Sequence, residues 1–424
     1  MIKWQKWQKQ KKKLSMQSST GREDRFYFAE GMEDMDISSL ISDKVRSIPT
    51  PKMAAFFNLP PDVISLGLGE PGFSTSSATG QGAIEAIRSG RTFYPPSNGY
   101  VELKEKISEY LAGRFNIFYS KDEVLLTPGS SLGLDDTIRA FVSDGDEVLL
   151  PKPAYGFYAT LVRLSGGVPV FVPTYERNGW ALDAADVAAA ITPRTKLLIL
   201  NYPNNPTGSV MSDAQFAKIA DVIRDKDIIV ISDEVYAEFV YNGRHCTILH
   251  QPGMRERTVF ISGFSKSMAM TGWRLGYLCA PEELLAPIAM INAATVMCAP
   301  GVAQAAALRG LEEGRGEIEM MAKEYRARRD YICERARRLG WRCSPPNGAF
   351  YLWADVSPSG WTAEELVHTL IRECKVALMP GTIFGEDYTN FVRITYSYDM
   401  ETIKEAMNRI ETFLSRRHEA GREA

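Results

Sequence analysis

Several short stretches hold residue types that can do chemistry together. In Ser262-Gly263-Phe264-Ser265-Lys266 a lysine follows an apolar run and sits in a turn of small residues. A lysine amine held there can form a Schiff base with an aldehyde cofactor and then shuttle protons. Alone it would read as a solvated surface group, so its neighbours decide. Eight residues on, Thr271-Gly272-Trp273-Arg274 brings an arginine, whose fixed fork of donors suits a phosphate. Ser232-Asp233-Glu234-Val235-Tyr236 puts Asp233 at the end of the apolar run 228–231. An acid at the buried end of a strand is costly unless a cation meets it. A protonated pyridine nitrogen would be such a cation; a helix N-cap is the ordinary alternative. Glu234 reads as a first-turn acid favoured by a helix dipole.

Three further stretches join them. Asn201-Tyr202-Pro203-Asn204-Asn205-Pro206-Thr207-Gly208 follows another apolar run. Its prolines restrict the backbone, so Asn205 is held at the sheet edge, where its amide can donate to a phenolate oxygen. A stiff turn would use the same residue types. Thr127-Pro128-Gly129-Ser130-Ser131 links a strand to a helix, and free N–H groups at a helix start attract phosphate. Arg393, on an alternating segment, can grip a carboxylate in a bidentate way or serve in a surface ion pair.

These residues need elements to position them. Strand patterns fall at 64–68, 123–127, 147–150, 168–172, 195–201, 228–232, 258–262 and 274–279, the last with either orientation open. Helical spacing falls at 81–89, 99–115, 131–142, 155–165, 183–191 and 213–224. Apolar strands separated by helices predict a mostly parallel sheet covered on both faces. Sites in such sheets lie beyond the carboxyl ends of the strands, where the candidate residues cluster. After residue 298 the character changes: long helices at 303–311 and 317–339, then short strands at 349–354 and 390–396 around a helix at 362–373, predict a smaller α+β lobe. Residues 36–55 read as an arm or short helix. The expected division is 1–35 as a basic extension, 36–75 as the arm with part of the small domain, 76–305 as the large domain, and 306–424 as the small domain.

The bulk properties exclude other classes. Lys plus Arg is 49 and Asp plus Glu is 52, a formal net charge of −3, which gives no electrostatic ground for nucleic-acid or membrane partners. No apolar run reaches the length of a membrane span. Six scattered cysteines and four histidines form no CxxC pair or tight cluster, so no metal is expected. Thiols without a secretion signal suggest a reducing, cytoplasmic compartment. Residues 1–14 hold six lysines and two tryptophans without an acid. They read as an extension from an upstream start codon, with Met16 or Met32 as alternative starts, or as a surface-binding tail.

Taken together, the motifs resemble the class I aminotransferases, pyridoxal-phosphate (PLP) enzymes of fold-type I, in particular the bacterial and archaeal branch acting on aspartate or aromatic amino acids. The strings Ser-Leu-Gly-Leu-Gly-Glu-Pro-Gly at 65–72, Asn-Tyr-Pro-Asn-Asn-Pro-Thr-Gly, Ser-Asp-Glu-Val-Tyr and Gly-Phe-Ser-Lys…Thr-Gly-Trp-Arg-Leu-Gly-Tyr carry it in this order. The resemblance implies a large PLP-binding domain with a mostly parallel seven-stranded sheet between helices, and a smaller α+β domain. It implies that Lys266 bears the cofactor and shuttles the proton, and that Asp233 pairs with the pyridinium. Asn205 and Tyr236 would bond the ring oxygen. Arg274, Ser130 and Ser131 would hold the phosphate, and Tyr155 would stack on the ring. Arg393 would take the substrate carboxylate, with Asn205 and Gly67 lining that space. Tyr94 would reach the phosphate of a second subunit, making the enzyme a homodimer.

Two positions depart from the pattern. Gly263 stands where many relatives have a phosphate-binding serine, leaving Ser262 or Ser265 to replace it. Gly72 stands where Asp is usual, with a local change of turn geometry as the expected effect. Two rival readings remain: a PLP-dependent lyase of the same fold, and a PLP-sensing regulator. The regulator would need a DNA-binding segment, and residues 1–35 show no helix-turn-helix pattern.

Overall fold

In the computed structural model the described residues are 40–49, 53, 56 and 58–420; the readings of residues 1–35 lie outside them. The strands in chain order are β1 (Ile64–Ser65), β2 (Val124–Thr127), β3 (Glu147–Lys152), β4 (Val168–Pro173), β5 (Thr195–Asn201), β6 (Ile229–Asp233), β7 (Thr258–Gly263), β8 (Gly276–Cys279), β9 (Tyr351–Asp355), β10 (Val376–Ala377), β11 (Met379–Pro380) and β12 (Phe391–Thr395).

Seven of them form one sheet in the order β2-β8-β7-β6-β5-β3-β4. All its neighbours are parallel except at β8, which runs antiparallel to both β2 and β7. The expected mostly parallel, seven-stranded α/β fold is therefore present, and the open orientation of the 274–279 segment resolves as antiparallel. Because the side-chain period is two, Leu197 and Ile199 pack on one face and Leu198 and Leu200 on the other. Both faces are apolar, which is why these strands read as continuous runs. The helices Ser130–Phe141, Phe157–Leu164 and Glu282–Val296 cover one face through Leu134, Ile138, Val162, Leu285 and Ile288. Ala184–Ala190 and Asp213–Ile223 cover the other through Val187, Phe216, Ile219 and Ile223.

A second sheet, β11-β12-β9, is antiparallel and sets Arg393 opposite Trp353. β1 pairs in parallel with β10, far along the chain, and the Thr395 N–H donates to the Leu66 carbonyl at 2.8 Å. Those pairings bring Gly67 beside β12.

Local differences from the expected elements have physical causes. The helix Glu282–Val296 was not anticipated: its sequence is apolar nearly all round and carries no single stripe. The segment 274–279 becomes a strand only at Gly276, since Arg274 takes the left-handed conformation (φ 55°) after the turn Thr271–Trp273. Among its described residues the arm 36–55 includes a helical turn, Asp43–Arg46. The helix expected at 362–373 runs as Ala363–Thr369 and finishes in a single wide turn, Leu370–Cys374.

Candidate active site

A cleft of about 330 Å³ opens at the carboxyl ends of the parallel strands, within the range of small-molecule sites. Ser130, Ser131, Tyr155, Asn205, Asp233, Tyr236, Ser265, Lys266, Arg274 and Arg393 all line it. β6 ends in Asp233, β7 leads into Ser265 and Lys266, and the turns after β2, β3 and β5 deliver Ser130, Tyr155 and Asn205. Arg393 reaches in from β12.

Asp233 is buried, and β6 leads into a turn, so no helix begins there. Its Oδ2 accepts from the Tyr158 hydroxyl at 2.6 Å and its Oδ1 from the Val235 N–H at 3.4 Å. Burial pushes the carboxyl up to about 6, and the Tyr158 bond pulls it back. Among the described residues its hydrogen-bond donors are thus both neutral, an arrangement that suits an incoming cation. Lys266 donates from Nζ to the Gly69 carbonyl at 2.6 Å. Burial and, after it, the Arg393 charge hold its ammonium down to about 8.

Arg393 is buried, and burial lowers its affinity for its proton. One terminal nitrogen donates to Asn205 Oδ1 at 2.7 Å and the other to the Gly67 carbonyl, while Nε is buried with no acceptor among the described residues. Gly67 itself sits behind the cleft wall, joined to it through this contact. Since Asn205 Oδ1 accepts from Arg393, its Nδ2 is left to donate. Its backbone N–H is anchored to Asn201 Oδ1 at 3.0 Å, and Asn201 Nδ2 in turn donates to the Asp233 carbonyl at 3.0 Å.

At the other end, the helix Ser130–Phe141 presents its first turn to the cleft, where N–H groups lack intrahelical acceptors. Arg274 lies close by: a Cβ on Gly129 would stand 2.5 Å from its guanidinium. Ser130 Oγ donates to the Ser262 carbonyl at 2.8 Å. A Cβ at Gly263 would lie 2.7 Å from that same Oγ and 3.0 Å from the Gly276 backbone, so a serine there would displace Ser130. Of the two substitutes, Ser265 lines the cleft, while Ser262 turns its hydroxyl to the Glu234 carbonyl at 3.4 Å. This donor set fits PLP: a neutral-partnered buried acid for the pyridinium, an amide and a phenol for the ring oxygen, an amine for the aldehyde, and a helix start with an arginine for the phosphate.

Two expectations need correction. Glu234 is not a first-turn acid at a helix start, since a turn follows β6. It is buried, and its carboxylate accepts from Ser232 Oγ at 2.7 Å and from Thr247 Oγ1, and contacts His245 Nε2 at 2.5 Å. A carboxylate carried inside by the strand end must find such partners. Gly72 does more than set a turn: a Cβ there would meet the Ser397 carbonyl at 2.6 Å and Tyr398 Cα at 2.8 Å. Tyr94 is 80% exposed and does not line the cleft of its own chain. Sequence reasoning missed Tyr158, Tyr351, Glu70 and Asn201 as cleft residues. Glu70 and Asn201 carried a signal, each being part of a quoted motif.

A sheet of this order with a lysine, an acid, an amide and an arginine at one cleft defines a class, and the chain belongs to it: the family aminotransferase class I and II matches residues 61–410. The protein is an aminotransferase, and this family depends on PLP. An aspartate aminotransferase of Pyrococcus abyssi is 40% identical over 357 residues, 83% of this chain and 92% of that one. An aromatic-amino-acid aminotransferase of Thermococcus litoralis is 36% identical over 381 residues, 88% of this chain and 98% of the other. The crystal structure of an aromatic aminotransferase from Pyrococcus horikoshii superposes with a TM-score of 0.82 at 38% identity, covering 86% of this chain and 99% of that one.

Proposed function

We propose that this chain binds PLP in the cleft and moves the amino group of an L-amino acid, of the aspartate or aromatic type, to a 2-oxo acid such as 2-oxoglutarate. The observation that carries the reading is the convergence of Lys266, Asp233, Asn205 and Arg393 on one cleft. Similarity to aspartate and aromatic aminotransferases supports the substrate class.

When bound, PLP supplies an aldehyde that takes up the amino group and a ring that accepts the electron pair released at the substrate Cα. Asp233 holds the ring nitrogen protonated. Asn205 and Tyr236 donate to the ring oxygen, and Tyr155 covers the ring face. Ser130, Ser131, Ser265 and Arg274 hold the phosphate. Arg393 orients the substrate carboxylate, with Asn205 and Gly67 fixing the guanidinium. Lys266, held down to about 8, has free amine near neutral pH, and its Nζ takes the proton from the substrate Cα. The first 2-oxo acid leaves while the amino group stays in the site, and a second 2-oxo acid then takes it up, so the kinetics are ping-pong.

Phe93 and Tyr94 are exposed side by side, and Met290 and Met297 are exposed as well; such apolar surface supports a homodimer in which Tyr94 serves the partner's phosphate site. The seven-stranded sheet lies within 124–279 and the three-stranded sheet within 351–395, which supports the division into 36–75, 76–305 and 306–424. Six unpaired cysteines support a cytoplasmic location. Among the described residues no helix is long and apolar enough to cross a membrane.

Steady-state rates over a grid of amino acid and 2-oxo acid concentrations test the mechanism. Parallel double-reciprocal lines are expected, and Lys266→Ala lowers kcat by more than about 10³-fold. Intersecting lines, or a Lys266→Ala rate near wild type, would contradict it.

A further inference from the structure

Tyr351 has no role in the account so far, yet it touches two of the assigned side chains at once. It is buried on β9, opposite Thr395 of β12. The Arg393 guanidinium carbon lies 4.4 Å from the centre of its ring, a favourable stacking of cation on aromatic face. Its hydroxyl lies 2.7 Å from the Tyr236 hydroxyl, and either oxygen can donate. The chain keeps room for this hydroxyl: a Cβ at Gly69 would stand 2.3 Å from it.

Proton bookkeeping then fixes the direction of the pair. A phenol carries one proton and two lone pairs. If Tyr236 spends its proton on the cofactor's ring oxygen, it has none left for Tyr351. The hydrogen bond between the two oxygens must then come from Tyr351. A bond donated into the Tyr236 oxygen polarises its O–H and makes it a better donor outward. Both rings are buried, so the effect is not diluted by water.

We propose that Tyr351 is a positioning residue: its hydroxyl donates to Tyr236 and thereby holds Tyr236 as a donor toward the ring oxygen of PLP. The inference rests on the cofactor reading given above and adds a residue to it. Its action is indirect, so it should show in the titration of bound PLP as well as in rate.

The test uses PLP-loaded wild type, Tyr351→Phe, Tyr236→Phe and the double variant, following the visible band of bound PLP against pH. A stabilised ring-oxygen anion lowers the midpoint of that titration. Tyr351→Phe keeps the ring against Arg393 and removes only the hydroxyl, so the midpoint should rise by about half a unit to one unit, the worth of one hydrogen bond. In the Tyr236→Phe background the same change should have no further effect. Placing 3-fluorotyrosine at position 351 alone, a stronger donor of nearly the same shape, should lower the midpoint. The charged and titratable groups facing the pair are Arg393, Asp233, Tyr155, Tyr158, Tyr325 and Tyr398, and all stay in place. An unchanged midpoint in Tyr351→Phe, or an equal rise with Tyr236 already replaced, overturns the proposal. Should Tyr351→Phe fail to fold, the fluorotyrosine protein decides: an unchanged or raised midpoint overturns it. Wild type that shows no visible band with PLP would overturn the cofactor reading instead, and this inference with it.

Discussion

Asp233 and Lys266 are shifted in opposite directions, the carboxyl up to about 6 and the ammonium down to about 8. Burial is the leading cause in both cases, and each group gives up folding stability for it. The folded Asp233 carboxyl holds a proton more tightly than the unfolded one, so its contribution to stability is greatest below the ordinary carboxylate range. It falls as pH rises through about 6. In PLP-free protein, Asp233→Asn should therefore be more stable than wild type at pH 7.5, by up to ~3 kcal/mol, as measured by urea unfolding. The same variant should bind PLP less productively. Equal or lower stability of the PLP-free variant would contradict the assigned burial cost. Several of these residues were legible in the sequence because few residue types do this chemistry and each stood at the end of an apolar run. Tyr158 was not. Its partner lies 75 positions away, and a tyrosine in a helix reads first as core.

At the scale of elements, the strands were legible because burial on both faces leaves nothing but apolar side chains between the turns. The helix Glu282–Val296 was not, since a stripe is the usual signal and it has none. Glu234 shows the same limit in a single residue. Acid in a first turn and acid in a buried network look alike until His245 and Thr247 fold back onto it. Gly72 records a close approach of two segments that sequence spacing cannot show. Its N–H donates to the Ser397 carbonyl at 3.1 Å, and the space for a side chain is filled by backbone. Gly72→Asp should destabilise this chain by about 1–3 kcal/mol through overpacking, seen as a lower denaturation midpoint. A neutral or stabilising result would mean that the 397–398 backbone moves aside freely.

At the scale of the whole molecule, the cleft takes side chains from both sheets, and the proposed Tyr94 contact would add a second chain. Light scattering should give twice the chain mass. Tyr94→Phe should leave that mass unchanged and weaken PLP binding by about tenfold, the loss of one hydrogen bond to a charged group. A monomeric wild type, or unaltered PLP affinity in Tyr94→Phe, would remove Tyr94 from the site. Lys266 follows β7 of the seven-stranded sheet, whereas Arg393 lies on β12 of the three-stranded one. The pairing of β1 with β10 bridges chain segments more than three hundred residues apart. Sequence spacing could not reveal it.

The central claim is amino-group transfer through Lys266, and a half-reaction tests it most directly. Purified PLP-loaded protein is mixed with one amino acid at a time, aspartate, glutamate or an aromatic one, and no 2-oxo acid. About one 2-oxo acid should form per site, with loss of the visible PLP band, and adding 2-oxoglutarate should restore the band. Continuous release of oxo acid and ammonia while the band persists would contradict it and point to a lyase.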